Sequence, residues 1–374
     1  MDVKRALAKA ALGAGIAAGG FLGALTAAEY RPKGEEKLPV TKTGEGSGRA
    51  AKEGETLTLL TWNIGFGCFD ADADFFKDGG TKIFPADKAA VERNIGDIGQ
   101  GISSLHPDAV FLQEADQRSF RSHGIDEVSS LAAAAAEGGD PVYTAFAKNF
   151  NVLFVPYPVP PIGHVESGIV TISRLEPERE MRLSLPCPFR WPVRTCNLKR
   201  CLLLSRIPVR DAEGERTGRD LVLVNLHLEA YDDGAGKTAQ TRALLKVLER
   251  ERRKGNYVIA GGDFNQSFST TDISRYPLRD SRLWQCGILD TGAFGENWQF
   301  AQDGEQPSCR SLDRPIAGAD RDTFQYYVVD GYIASDNVEI LSARTQDFGF
   351  ASSDHNPVVL SCRLKPRMGE NGKE

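Results

Sequence analysis

The sequence predicts an α/β fold in which helices lie outside packed β-sheets, and three observations carry that expectation. Short β-branched and aliphatic runs recur along most of the chain. Several are apolar at nearly every position, so both of their faces are covered. Stretches with a helical period lie between some of them.

In chain order, the runs at 57–63 (LTLLTWN), 108–114 (DAVFLQE), 167–173 (SGIVTIS) and 201–209 (CLLLSRIPV) read as strands. So do 220–228 (DLVLVNLHL), 256–265 (NYVIAGGDFN), 326–335 (YYVVDGYIAS) and 356–364 (NPVVLSCRL). Val91, Ile95, Ile98, Ile102 and Leu105 recur at intervals of three and four, which gives one apolar helical face. A second helix is expected from about Thr238 to Lys254, with Leu244, Leu245 and Leu248 inward and a charged end.

The folded unit is expected over residues 55–364 of the 374. Lys4, Arg5 and Lys9 precede an uncharged stretch from Ala10 to Ala28, and about 20 apolar residues suffice to cross a bilayer as a helix. Residues 1–30 therefore read as an uncleaved anchor or as a signal segment cut at the small residues Thr26, Ala27 and Ala28; a soluble N-terminal helix is the third reading. On the first two readings positive-inside logic puts the body outside the cytoplasm, at a cell membrane or secreted. Residues 31–54 are polar, charged and glycine-bearing, and read as a flexible tether; 365–374 read as a disordered tail.

A formal charge of −6 argues against a broad nucleic-acid footprint, because backbone binding to phosphates is largely cationic neutralisation. The seven cysteines show no CxxC pair and no zinc spacing. Cys187, Cys196 and Cys201 are close enough in sequence to permit a disulfide in an exported body.

Polar groups stand at or near the ends of the strand runs: Asn63, Glu114, His227, Asp263 with Asn265, Asp330, and Asp354 with His355. Singly, each has an ordinary explanation as a strand-end cap, turn former or satisfied core histidine. Their joint occurrence is what needs chemistry, since charges beside a buried sheet are costly unless paired or bound to a cation. If the strand ends share one rim, Glu114, Asp263 and Asp354 meet there and their repulsion calls for a divalent cation. Oxygen ligands suit magnesium or manganese better than zinc.

The segments TWNIG, FLQEAD, VNLHLEAY, GGDFN, VVDGYIAS and SSDHNPV, in that order, resemble the endonuclease/exonuclease/phosphatase superfamily. The resemblance covers about 57–364. It implies a four-layered α/β sandwich, two packed β-sheets flanked by helices, with the site at one edge. It implies Glu114 as the principal Mg2+ (or Mn2+) ligand, with Asn63 positioning metal or phosphate and Asp354 contacting the metal directly or through water. His227 would donate to a phosphate oxygen, Asp263 would orient or deprotonate the attacking water, and Asn265 would hold the phosphate. His355 would stabilise phosphoryl charge or transfer a proton, with Asp330 fixing its tautomer.

Which phosphoester is less legible. FGCFDADADFFKDGG and LSRIPV resemble bacterial membrane-anchored members, whose substrate the family does not define; a phospholipid headgroup or small phosphoester outside the cytoplasmic membrane is the first expectation. A secreted or surface nuclease is the alternative, and a non-catalytic binding module the reading from another class. No obligate protein partner is implied. Asp70, Asp72 and Asp74 hint at a calcium loop but lack its glycine and glutamate, so a solvated loop is expected. Arg118, Arg121 and His123 are candidate phosphate contacts or a solvent-facing helix start. Tyr157, Phe189 and Trp191 lie in proline-rich loops that suit either packing on the body or a lipid interface.

Overall fold

In a computed structural model describing residues 3–231 and 234–366, two mixed β-sheets pack face to face. One has eight strands, in the order Glu35–Lys37, Arg179–Ser184, Cys201–Arg210, Arg216–His227, Tyr257–Asp263, Asp330–Ser335 and Trp298–Ala301, with Ala51–Lys52 added beside Cys201–Arg210. The other has seven: Val338–Thr345, Val358–Leu364, Thr56–Asn63, Ala109–Asp116, Gly163–Ser173, Val142–Val155 and Thr41–Thr43.

The core between the sheets is built from alternate residues of both: Leu57, Leu59 and Phe111 from one, Leu223, Ile259 and Tyr332 from the other, all fully buried. On the outer face of the seven-stranded sheet, Val91, Ile95, Ile98 and Ile102 of the Lys88–Leu105 helix pack over Leu60, Trp62 and Leu112. Asp87 caps that helix by accepting from the Ala90 N–H at 2.8 Å. On the other outer face, Leu244 and Leu248 of the Ala235–Arg253 helix cover Val222, Val224 and Val258. Helix, sheet, sheet, helix gives the four layers.

Two expectations are corrected. Residues 31–54 are not a loose tether. They hold the edge strands Glu35–Lys37, Thr41–Thr43 and Ala51–Lys52, which pair with Arg179–Ser184, Val142–Val155 and Cys201–Arg210. An edge strand gains its stability from backbone pairing, so polar side chains do not betray it. The disulfide that the spacing of Cys187, Cys196 and Cys201 permits is not formed. All seven thiols are free, and these three face separate carbonyls, those of Leu198, Phe154 and Ala147.

Just before the proline-rich loop of Tyr157, residues 151–155 form the end of the 14-residue strand Val142–Val155. Of the expected tail, residues 367–374 lie outside the described residues. Deleting residues 1–54 removes all three edge strands and uncovers the Leu175 and Ile207 side of the core that fully buried Ala51 seals. That truncation is expected to lower the melting temperature by several degrees more than a chain starting at residue 32, which keeps all three strands; differential scanning calorimetry in detergent distinguishes the two.

Candidate active site

Strand register assembles the site. Arg216–His227 and Tyr257–Asp263 run parallel with His227 opposite Asp263; Asp330 pairs with Asp263 from the antiparallel side. Three chemically active residues thus end adjacent strands at one level. In the facing sheet, Asn63 closes its strand and Asp354 and His355 immediately precede Val358–Leu364, which runs antiparallel to it.

The two glycines before Asp263 have steric reasons. A Cβ on Gly262, whose φ is +149°, would collide with the Leu226 carbonyl oxygen. One on Gly261 would lie 2.5 Å from the Tyr332 ring. Only a bare backbone lets the strands close under the acid. Asn265 then turns left-handed at φ 51°, and its N–H donates to Asp263 Oδ1 at 2.8 Å.

Glu114 does not end a strand, as the sequence suggested. It lies inside Ala109–Asp116, where the pairing with Gly163–Ser173 slips between Leu112 and Ala115, and its φ is 54°. This bulge re-aims one carboxylate out of an otherwise buried strand.

A cavity of about 420 Å³ is lined by Asn63, Glu114, His227, Asp263, Asn265, Asp354 and His355. Asn63 Nδ2 donates to Glu114 Oε1 at 3.2 Å and to Asp263 Oδ2 at 3.0 Å. His227 Nε2 is 3.5 Å from Asp263 Oδ2 and 4.0 Å from Glu114 Oε1; His355 Nε2 is 4.0 Å from Asp263 Oδ2. Asp330 does not line the cavity. It sits fully buried behind His355, 2.8 Å from Nδ1.

Burial, reinforced by the Asp330 charge, pushes the Asp263 carboxyl up to about 7. Burial also raises Asp354 to about 6, with His355 opposing and the Glu114 charge adding to the rise. His227 goes the other way: burial, then Arg200 and His355, hold it well below its usual value, so it is neutral. For His355, burial favours the neutral ring but is outweighed by Cys309 and Asp330. Since burial pushes Cys309 up to about 12, that group is an uncharged thiol near neutrality, and Asp330 is the anion that keeps the proton on His355. One imidazole is thereby neutral and the other charged within a single cavity.

Other residues share the site without having been singled out. Tyr231 donates to Asp78 Oδ1 at 2.8 Å, with Lys77 Nζ 5.9 Å above its ring, and all three line the cavity. Tyr231 belongs to the quoted VNLHLEAY segment, and Lys77 and Asp78 to FGCFDADADFFKDGG, which by itself gives neither of them a role. Beneath the floor, Gln113 Nε2 donates to Asn225 Oδ1 at 2.8 Å, a buried polar tie between the two sheets. Arg121 reaches the cavity, but both Asp116 oxygens hold its guanidinium at 3.0 and 2.9 Å and Phe66 stacks 3.6 Å from it. Arg118 and His123 are exposed and do not line the cavity. Asp74 is no solvated residue: it is buried and accepts from the Thr81 and Lys82 N–H groups, spending its carboxylate on a turn.

Among the described residues, buried ligand-capable atoms form two clusters, Cys309 with Asp354 and His355, and Asp263 with Asp330 and His355. In the second, His355 Nδ1 is already bonded to Asp330. Neither cluster includes Glu114, whose carboxylate opens onto the same cavity as Asp354 and Asn63.

Clustered acids and two imidazoles of opposite charge state thus meet on the rim of a two-sheet α/β sandwich. The model of the Endonuclease/Exonuclease/phosphatase family matches residues 60–355, and the chain belongs to that family, whose members act on phosphoester bonds and generally require a divalent metal. No curated protein matches. Among solved structures, an endonuclease/exonuclease/phosphatase from Beutenbergia cavernae is 17% identical, covering 83% of this chain and 72% of its own, with a TM-score of 0.53. A family protein from Leptotrichia buccalis is 14% identical, covering 82% and 100%, with a TM-score of 0.51. Both share the fold.

Replacing Asp330 by Asn removes the charge that keeps His355 protonated. In Asp330→Asn, histidine NMR is expected to show this ring titrating at lower pH than in the parent; an unmoved titration would assign the proton to another group.

Proposed function

We propose that the chain is a divalent-metal-dependent phosphoester hydrolase that activates water for in-line attack, acting on a phospholipid headgroup or small phosphoester outside the cytoplasmic membrane. The observation that carries this reading is the meeting of Asn63, Glu114, His227, Asp263, Asn265, Asp354 and His355 on one cavity.

Glu114, Asn63 and Asp354 would hold Mg2+ or Mn2+. The donor chemistry fits: a carboxyl raised to about 6 beside a second carboxylate is a site short of positive charge. Asn63 Oδ1 accepts from Gly65 N–H at 3.1 Å and keeps a second lone pair. Once bound, the cation neutralises the scissile phosphate and its leaving oxygen.

Asp263, its carboxyl near 7, is poised to orient the attacking water and take its proton. Neutral His227 donates an N–H to a phosphate oxygen; its Nδ1 has no hydrogen-bond partner among the described residues. Asn265 spends one Nδ2 proton on the Leu228 carbonyl at 2.9 Å and has another for the phosphate. His355, charged against Asp330, stabilises the phosphoryl oxygens or returns a proton to the leaving group.

Phe150, Val155, Tyr157, Ile162 and Phe189 form an apolar wall to the same cavity. That wall supports a lipid phosphoester over a duplex, as does the net charge of −6.

Hydrolysis of bis(p-nitrophenyl) phosphate is expected with magnesium or manganese and should stop with chelator. Asp263→Ala should lose about 10²–10⁴-fold in kcat, the range for a general base; undiminished turnover in a folded variant would refute that role. Headgroup release from vesicles should exceed plasmid cleavage at matched enzyme, and the reverse would favour a nuclease.

A further inference from the structure

The N-terminal helix, Val3–Ala27, does not stand free of the body. Leu25 is buried against Val152, Val155, Val165 and Cys196, and the Phe21 ring meets Phe154 edge-on at 6.3 Å. Trp191 Nε1 donates to Thr26 Oγ1 at 3.0 Å. Two residues beyond the helix, the buried carboxylate of Glu29 is held by Arg194 at 2.8 Å, Arg31 at 3.2 Å and Lys199 at 3.4 Å. A charge buried with three cations directly after Thr26, Ala27 and Ala28 fastens the helix to the domain. Cleavage there would detach the helix that Leu25 and Thr26 dock, which argues for a retained anchor.

The docking fixes a depth. Leu7–Ala27 has 21 residues and is long and apolar enough to cross a membrane. At about 1.5 Å per residue it matches a hydrocarbon core of about 30 Å. With Ala27 at one face of that core, Phe21 lies about 9 Å inside it. Phe154, in contact with Phe21, must then reach below the headgroups.

The chain around Phe154 has the composition such a position requires. No charged side chain occurs from Asn149 to Gly163. Val159 is 90% exposed and Leu153 67%; on the adjoining loop Trp191 is 56% exposed and Val193 57%. In a soluble protein a gathered apolar surface of this kind is a liability unless something covers it. Four of the six residues from Pro156 to Pro161 are proline and carry no N–H, which spares the backbone donors that a lipid boundary would leave unpaired. Exposed Arg31, Lys33 and Arg190 surround the helix exit, where anionic headgroups would meet them. Val155, Tyr157 and Ile162 of the same segment also line the catalytic cavity.

We propose that the 153–161 segment, the Trp191 loop and the helix end form one membrane-seating surface. It dips into the leaflet at the helix's C-terminal end and presents the cavity mouth to lipid phosphoesters of that bilayer. The substrate half of this inference rests on the hydrolase reading above; the seating does not.

The test uses the full chain in vesicles of phosphatidylcholine and phosphatidylglycerol, with and without dibrominated acyl chains. Trp62 and Trp298 are buried and Trp284 is half-buried on the cavity wall, so the part of the quenching that is lost in Trp191→Phe reports Trp191, and that part should be the larger one. Equal signals from the two proteins would overturn the seating. Val159→Glu combined with Leu153→Glu should slow headgroup release from the vesicles by about tenfold or more, since acidic side chains resist the boundary. Turnover of soluble bis(p-nitrophenyl) phosphate should be unchanged, which also reports that the variant folds. Unslowed vesicle turnover would overturn the proposal. Quenching at Trp191 in a protein inactive on both substrates would uphold the seating and overturn the hydrolase reading alone.

Discussion

Mutual repulsion among buried carboxylates governs this molecule. Asp263, Asp330 and Asp354 are nearly inaccessible to solvent, and Glu114 opens onto the same cavity. A fold that only needed stability would put apolar groups there, because desolvating several acids costs more than their packing returns. The chain compensates in part. Asn63 bridges Glu114 and Asp263, and His355 offers Asp330 a positive partner. The compensation is incomplete: Asp330 Oδ1 has no hydrogen-bond partner among the described residues, and the Asp263 and Asp354 carboxyls remain raised. The remaining deficit is positive charge, which a divalent cation would supply.

Backbone geometry holds the acids in that arrangement. Parallel pairing fixes His227 beside Asp263, antiparallel pairing fixes Asp330 on the other side, and Gly261 and Gly262 allow the close approach. The Gln113–Asn225 hydrogen bond links the sheets beneath the cavity, and Trp62 Nε1 holds the His355 carbonyl at 2.9 Å. These contacts keep the rim rigid where a loop-borne site would be loose.

Much of this was legible in the sequence because it is local. An apolar run that ends in Gly-Gly-Asp-Phe-Asn declares both a buried strand and its active end, and the 3.6-residue period of Val91 to Ile102 declares a helix. What could not be read depends on pairing. Glu114 looks like a strand-end residue, and only the slipped register with Gly163–Ser173 shows a bulge that aims it. The edge strands of residues 31–54 look like a linker because their partners are about a hundred residues away or more. Asp74 resembles a candidate ligand until its turn is seen, while Lys77, three residues on in the same quoted segment, reaches the cavity although nothing in the segment gives it a role.

The most direct measurement is anomalous diffraction from a manganese-soaked crystal. The account predicts one strong peak bonded to Glu114, with Asp354 and the Asn63 carbonyl in its coordination sphere, at the oxygen distances of a hard cation. A peak held instead by Cys309 and His355, or none near the rim, would contradict it.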